Sequence, residues 1–337
     1  MFGNGPAYRR KITDDDIRFC YRFFLQREAD DSGFAHYREL MQSGGTMEAL
    51  IRHFVASDEF LMKVTHWSAS DVVDVDLGGY LVAVHRLDPD FGHHITQSKQ
   101  YEEHVRKAVR AHVPDGGVFV DIGANVGVMA LLAATIAGPN GRVIAVEPEG
   151  RNLQMLYRGI VINRVDNVEV WPFAASNARR MVSLGGLSNG QVASAAEAVS
   201  QAGSGETKLV QSVVLDDLLG ILPRLDCVKI DIEGHEPAAT AGFWKNIETH
   251  RPAVIVEWNP RTLGEAGEDM ATYAATLLTL YPRLRVTSAF GDDQVVSTAE
   301  QLVTFWTRRD AEIAAAGKLP PGALHFDLIA DAIARPR

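Results

Sequence analysis

Cysteine is scarce in this chain of 337 residues; there are two, Cys20 and Cys227, far apart in sequence. Two distant thiols cannot build a disulfide framework, and without a C-x-x-C pair they carry no zinc signature. Both read as buried apolar residues of a reducing compartment. Basic runs are equally scarce. The nearest is Arg9-Arg10-Lys11, and the formal net charge is −10. That balance lacks the basic stripe that neutralises phosphates, which argues against a nucleic-acid partner. No apolar run approaches the ~18 residues of a membrane span, and no apolar signal-type region opens the chain. A cytoplasmic protein without a transmembrane segment is the expectation. Internal repeats are absent as well.

What is present suffices for a buried core, with 46% hydrophobic and 23% charged residues. The length is about twice a typical domain, so one large α/β unit with a small appendage is expected.

Residues 13–65 carry helical periodicity. Thr13 with Asp16 forms a capping box, and Ile17, Cys20, Tyr21, Phe24 and Leu25 come next as one apolar stripe. A second stripe holds Phe34, Tyr37 and Met41 and stops at Gly44-Gly45. Thr46 is placed to cap a third helix bearing Leu50, Ile51, Phe54 and Val55. Residues 1–66 are thus an all-α bundle. Residues 67–117 connect it to the rest of the chain, with a short strand at Leu81–Val84, a turn at Asp88-Pro89-Asp90 and a lead-in helix from Tyr101 to Val113.

From 118 the pattern alternates between strand and helix. Strands are expected at 118–123, 142–147, 168–173, 226–232 and 252–257, with helices at 126–137, 149–162, 235–248 and 268–281. The strands are apolar nearly throughout, so they are buried on both faces in a mainly parallel, doubly wound sheet. Strands at 180–184 and 207–214 flank a Gly/Ser/Ala-rich loop, 185–206, suited to a lid. Arg285–Ala289 and Leu302–Thr307 read as an antiparallel edge pair. The domain is bounded at 118–310, and 311–337 is left as a tail with no assigned element.

Two segments carry chemistry. The first is VFVDIGANVG, residues 118–127, where glycines let the chain turn sharply from strand into helix beside a ligand. Glu147 ends the next strand, twenty residues after Gly127, where an acid accepts both hydroxyls of an adenosine ribose. A dinucleotide needs G-x-G-x-x-G, and here Asn125 occupies the middle glycine's place. S-adenosylmethionine has no phosphate and is cationic, which suits the acidic lead-in Asp121. The methyl donor is the better fit.

The second segment is VKIDIEGHE, residues 228–236. Charges inside a buried strand need partners, and period two puts Lys229, Asp231 and Glu233 on one side of the crevice. Methyl transfer to a hydroxyl needs the acceptor held in line and its proton taken. Asp231, Glu233 and His235 are the candidates, with Lys229 keeping Asp231 ionised. His235 alone equally suits a plain helix N-terminus, and Glu236 suits the helix dipole. Strand 252–257 leads into Glu257, Trp258 and Asn259. Glu257 and Asn259 either complete a polar wall or, for Glu257, join Asp231 and Glu233 around a hard cation such as Mg²⁺. Trp258 stacks on a sugar or belongs to the core.

With these motifs in order, the segment from about Tyr101 to Pro260 resembles the FkbM family of S-adenosylmethionine-dependent methyltransferases. The matching pieces are VFVDIGANVG, VIAVEPEGRNLQML, the Asn163 region, VVLDDLL, VKIDIEGHE and PAVIVEWNP. The resemblance implies a Rossmann-like, class I methyltransferase fold and transfer to a hydroxyl oxygen. Family acceptors are sugars, lipo-oligosaccharides or polyketide-type products. By position, Asp121, Gly123, Asn125 and Gly127 surround the donor's methionine half, Glu147 its ribose, and Ala174-Ala175-Ser176 lie near the adenine. Tyr101-Glu102 resembles the aromatic–acid pair before the family's first strand. Gly159 departs from the family's asparagine, which puts the Asn163 contact in doubt. The N-terminal segment resembles a small bacterial helical module of unassigned function that recurs in proteins linked to surface glycans. It suggests either a glycan acceptor or a bundle for docking or homodimerisation.

The leading expectation is an O-methyltransferase for a sugar hydroxyl. Its rivals are transfer to nitrogen or a non-sugar hydroxyl, and a scaffold that retains the ligand without turnover. The acceptor itself is unnamed; His93, His94 and Gln97, with the 185–206 loop, are expected to shape its pocket.

Overall fold

Amphipathic helices make up the first part of the chain. The computed structural model describes residues 12–25, 27–42, 46–57, 59–60, 71–86, 88, 91–185, 191–194 and 208–333. Helices α1 (Asp14–Leu25), α2 (Asp31–Gln42) and α3 (Met47–Val55) are the expected three. The capping box forms, with Thr13 N–H donating to Asp16 and Asp16 N–H to the Thr13 hydroxyl. Thr46 caps α3 through Ala49 N–H. Their apolar stripes meet in an aromatic core, where Phe54 stacks on Tyr37 at 4.5 Å and meets Tyr21 edge-on at 5.0 Å. Gly44-Gly45, Met41's side chain and the Pro89-Asp90 part of the expected turn lie outside the described residues.

The chain divides into two compact units, Met1–Val73 with Leu218–Gly220, and Asp74–Asp217 with Ile221–Arg337. Residues 74–117 and the C-terminal stretch therefore go with the sheet.

Strand β1 (Val72–Asp76) is followed by β2 (Leu81–His85), α4 (Gly92–Ser98) and α5 (Glu103–His112), ahead of the alternating part. There β3 (Val118–Ile122) leads to α6 (Val128–Ala137), β4 (Arg142–Val146) to α7 (Gly150–Asn163), and β5 (Val168–Trp171) comes next. A side sheet interrupts the alternation: β6 (Ala174–Ala175), β7 (Arg180–Gly185), β8 (Gln191–Ser194) and β9 (Lys208–Val213), in the order β6-β9-β7-β8. The rest of the 185–206 loop lies outside the described residues. Then come α8 (Leu215–Leu219), β10 (Cys227–Ile230), α9 (Glu236–Gly242), α10 (Trp244–His250), β11 (Ala253–Trp258), α11 (Pro260–Glu265) and α12 (Met270–Leu280). Strands β12 (Leu284–Thr287) and β13 (Asp293–Val296), helix α13 (Ala299–Ala315) and β14 (Phe326–Ala330) complete the chain.

The main sheet has eight strands in the order β13-β12-β14-β11-β10-β3-β4-β5. From β11 to β5 every pairing is parallel. Every residue of β3 and β10 is buried, as continuous apolar runs covered on both faces require. Strand order reverses between β3 and β10. In such a Rossmann-like sheet the crevice at that switch, beyond the carboxyl ends, is where ligands bind.

Two expectations change. Leu302–Thr307 is no strand but part of α13, which Thr298 caps through Gln301 N–H. The stretch left as a tail holds β14, which lies antiparallel between β11 and β12 and pairs Trp258 with Phe326 and Glu257 with Asp327. Its neighbours' hydrogen-bonding edges are thereby satisfied.

Candidate active site

The turn after β3 is built from alternating left-handed residues. Gly123, Asn125 and Gly127 have φ of 83°, 50° and 93°. At Gly123 a Cβ would sit 1.9 Å from the Asp231 carbonyl oxygen, so glycine is required there for space as well as conformation. Asparagine is the non-glycine residue that best tolerates this region. Asn125 therefore keeps the turn at the position where a dinucleotide fingerprint carries its middle glycine. Its N–H donates to Glu147 Oε2 at 2.8 Å.

Glu147 is held from three sides, since Glu149 N–H donates to Oε1 at 2.8 Å and Asn152 Nδ2 at 3.3 Å. Burial nonetheless pushes its pKa up to about 7 against those donors. Gly123, Asn125, Glu147 and Ala175 all line one cavity of about 220 Å³, joined by Tyr101 and Glu102 from the lead-in to α5. Glu102 has φ 40°, and Tyr101 meets Phe91 edge-on at 4.7 Å.

Opposing charges come from β10 and β11. Lys229, Asp231, Glu233 and Glu257 line the same cavity, Lys229 from β10 and Asp231 and Glu233 from the loop after it, where Ile232 lines it too. Lys229 Nζ is 2.9 Å from Asp231 Oδ2 and 3.9 Å from Asp121 Oδ1. Burial works against its charge, but Asp231, Asp121 and Glu102 outweigh that and hold its pKa above the ordinary lysine value. Glu233, at φ 55°, projects from a loop that the wholly buried Glu236 ties down by accepting from Ile232 and Gly234 N–H. That tie, rather than the helix dipole alone, is what Glu236 supplies.

One oxygen each of Asp231, Glu233 and Glu257 lies within 4.8 Å of the others. Burial first, then Asp231, raises Glu102 to about 8 and Glu233 to about 7. The same two causes raise Glu257 well above the carboxylate range. The folded domain thus holds protons that an unfolded chain, with carboxyls near pH ~4.3, has lost. Its stability is expected to fall as pH rises from about 7.5 to 8.5, above the titration of unfolded histidines near ~6.5 and through the Glu102 value of about 8. Thermal melts across that range check this. A melting temperature that climbs instead refutes it, and Glu102→Gln should flatten the profile.

Other expected site residues lie elsewhere. Asp121 is wholly buried behind the wall, beneath Lys229, with its pKa pushed up to about 6 by burial. Gly127 heads α6 and packs under Leu156. Asn163 pairs its side-chain amide with both backbone groups of Leu81 in β2, which makes it a structural brace and not a donor contact. Gly159 fits that packing, because a Cβ there would meet Leu131 at 2.5 Å. Trp258 is fully buried, with its indole N–H on the Met270 carbonyl, so it cannot stack on a sugar. Asn259 caps α11. His93 and His94 are exposed on α4 and do not line the cavity, which Phe91 reaches instead. His235 is also off the cavity wall; its Nε2 lies 3.0 Å from Ser176 Oγ, and burial then Arg180 lower its pKa. His325 does line the cavity, and no sequence pattern pointed to it. Among the described residues no helix is long and apolar enough to cross a membrane.

The family model described as the methyltransferase FkbM domain matches residues 121–284. Residues 7–64 match a domain of unknown function, DUF4214. No curated protein matches the sequence. Among solved structures, the chain is similar to methyltransferase FkbM from Methylobacillus flagellatus KT, at 18% identity over 86% of this chain and 61% of that one, TM-score 0.38. It is similar to an S-adenosylmethionine-dependent O-methyltransferase from Thermotoga maritima, at 10% identity over 72% and 71%, TM-score 0.37. An rRNA methylase from Streptococcus thermophilus matches at 7% identity over 69% and 98%, TM-score 0.37.

Proposed function

We propose that this S-adenosylmethionine-dependent methyltransferase, whose residues 121–284 form an FkbM domain, methylates a sugar hydroxyl of a glycan, glycolipid or glycosylated metabolite. The observation that carries this reading is the convergence of Asp231, Glu233 and Glu257 on the cavity that the glycine-rich turn also lines. Carboxyl groups accept hydrogen bonds from hydroxyls, and several at one wall orient a polyhydroxylated acceptor. An acidic wall also attracts a cationic donor.

In this reading Glu147 receives the ribose hydroxyls and the Gly123–Asn125 backbone borders the methionine half. Ala175 lies toward the adenine, and Tyr101-Glu102 border the side of Asp231 and Lys229. The donor supplies a methyl group on a positively charged sulfur. Asp231 and Glu233 would hold the acceptor oxygen in line with that carbon, the C–S electron pair would go to sulfur as the C–O bond formed, and the hydroxyl proton would pass to a base on the cavity wall. The three carboxyls are assigned to the acceptor rather than to Mg²⁺, because Lys229 already sits on Asp231 and His325 faces Glu257 at 3.9 Å. Rates should accordingly be unaltered in EDTA.

Calorimetry with S-adenosylmethionine and with NAD, followed by S-adenosylhomocysteine release over a panel of methyl glycosides, tests the reading. Donor binding without NAD binding is expected, with product bearing an O-methyl sugar by mass and NMR analysis. NAD binding alone would sink it. Asp231→Asn should slow turnover by at least about tenfold with donor affinity nearly unchanged, and full activity would remove Asp231 from the chemistry.

A further inference from the structure

We infer that His325 is the base that takes the acceptor's hydroxyl proton, an assignment resting on the sugar O-methylation reading. Topology puts it at the reacting end of the sheet. Strand β14 runs antiparallel to β11, and its first residue, Phe326, pairs with Trp258, the last of β11. A residue just before such a strand lies level with the carboxyl ends of the parallel strands, where the crevice opens. His325 is that residue, and it lines the cavity with Asp231, Glu233 and Glu257. Its Nε2 is 3.9 Å from Glu257 Oε1, while Glu257 Oε2 is buried without a hydrogen-bond partner.

The other nearby histidines are committed or misplaced. His235 Nε2 faces Ser176 Oγ, and His104 Nε2 is 2.6 Å from Asp327. His93 and His94 are off the cavity wall. A base must also discharge its proton between turnovers. The His325 side chain is 46% exposed and can pass it to water, whereas that of Glu257 is 12% exposed and enclosed. The step balances. The hydroxyl proton moves to Nε2, the oxygen forms the C–O bond, and the C–S pair leaves with sulfur as S-adenosylhomocysteine. The imidazolium then releases the proton to solvent. Glu257 Oε1, 3.9 Å from Nε2, is the carboxyl oxygen beside the ring as the proton arrives.

The test uses the full chain, S-adenosylmethionine and a panel of methyl glycosides, read by S-adenosylhomocysteine release. His325→Ala is expected to lower kcat about a hundred-fold or more, with donor Kd by calorimetry held near the wild-type value. Added imidazole should restore part of that rate in His325→Ala but not in His325→Gln, where the side chain fills the space. Full turnover by His325→Ala, loss of donor binding alongside turnover, or failure of imidazole to rescue each overturns the assignment alone. A wild type that binds donor yet methylates no glycoside overturns the sugar reading, and the assignment falls with it.

Discussion

Glu147→Ala is expected to weaken S-adenosylmethionine binding by roughly a hundred-fold to ten-thousand-fold, as the loss of two charge-assisted hydrogen bonds implies. The carboxylate has two duties. In the proposed reading it accepts the ribose hydroxyls, and in the fold it receives Asn125, Glu149 and Asn152. Removing it frees the N–H of a left-handed asparagine and loosens the turn that borders the donor. Calorimetry measures the loss, and a thermal melt separates it from unfolding. Glu147→Gln, which keeps the shape but offers one acceptor oxygen, should fall between. A donor Kd unchanged in Glu147→Ala would place the ribose elsewhere.

Lys229→Met should cost the fold about 3–5 kcal/mol, the usual penalty for stranding a buried ionised partner. The lysine is 5% exposed and stands between Asp121 and Asp231. Without it, burial and mutual repulsion act on those carboxyls and on Glu102 unopposed. Urea unfolding gives the number, and a change below about 1 kcal/mol would show that the lysine is no counter-ion. Pairing Lys229→Met with Asp121→Asn should recover part of the loss, since one stranded charge is then removed.

The parallel core was legible because strands buried on both faces have no polar side, and 118–122, 142–146 and 253–256 are apolar nearly throughout. The cavity wall was legible for a related reason. Charges at Lys229, Asp231 and Glu233 are too costly in a buried strand unless they face a common space. The same period, applied from Glu257, sets Trp258 on the opposite face, where the structure buries it. Leu302–Thr307 misled because β-branched and aromatic residues suit a strand, while the deciding signals lay outside it, in the Thr298 cap and in Arg308–Glu312 one turn apart. Strand β14 went unseen because FDLIA is short, carries Asp327 and comes soon after Pro-Pro-Gly. His325 was hidden with it. Asn163 paired with a hairpin strand remote in sequence, a contact no local pattern records.

The place of β14 also bears on how the protein is made. Among the described residues it is the last strand in chain order, yet it lies between β11 and β12, not at an edge. Until residues 326–330 leave the ribosome, two hydrogen-bonding edges stand open and the histidine before that strand has no seat. A nascent chain can therefore form the glycine-rich turn early, but the wall that holds His325 is assembled only once residues 325–330 have been made. Such long-range closure makes a slow final folding step, during which the open edges are exposed to pairing with other chains.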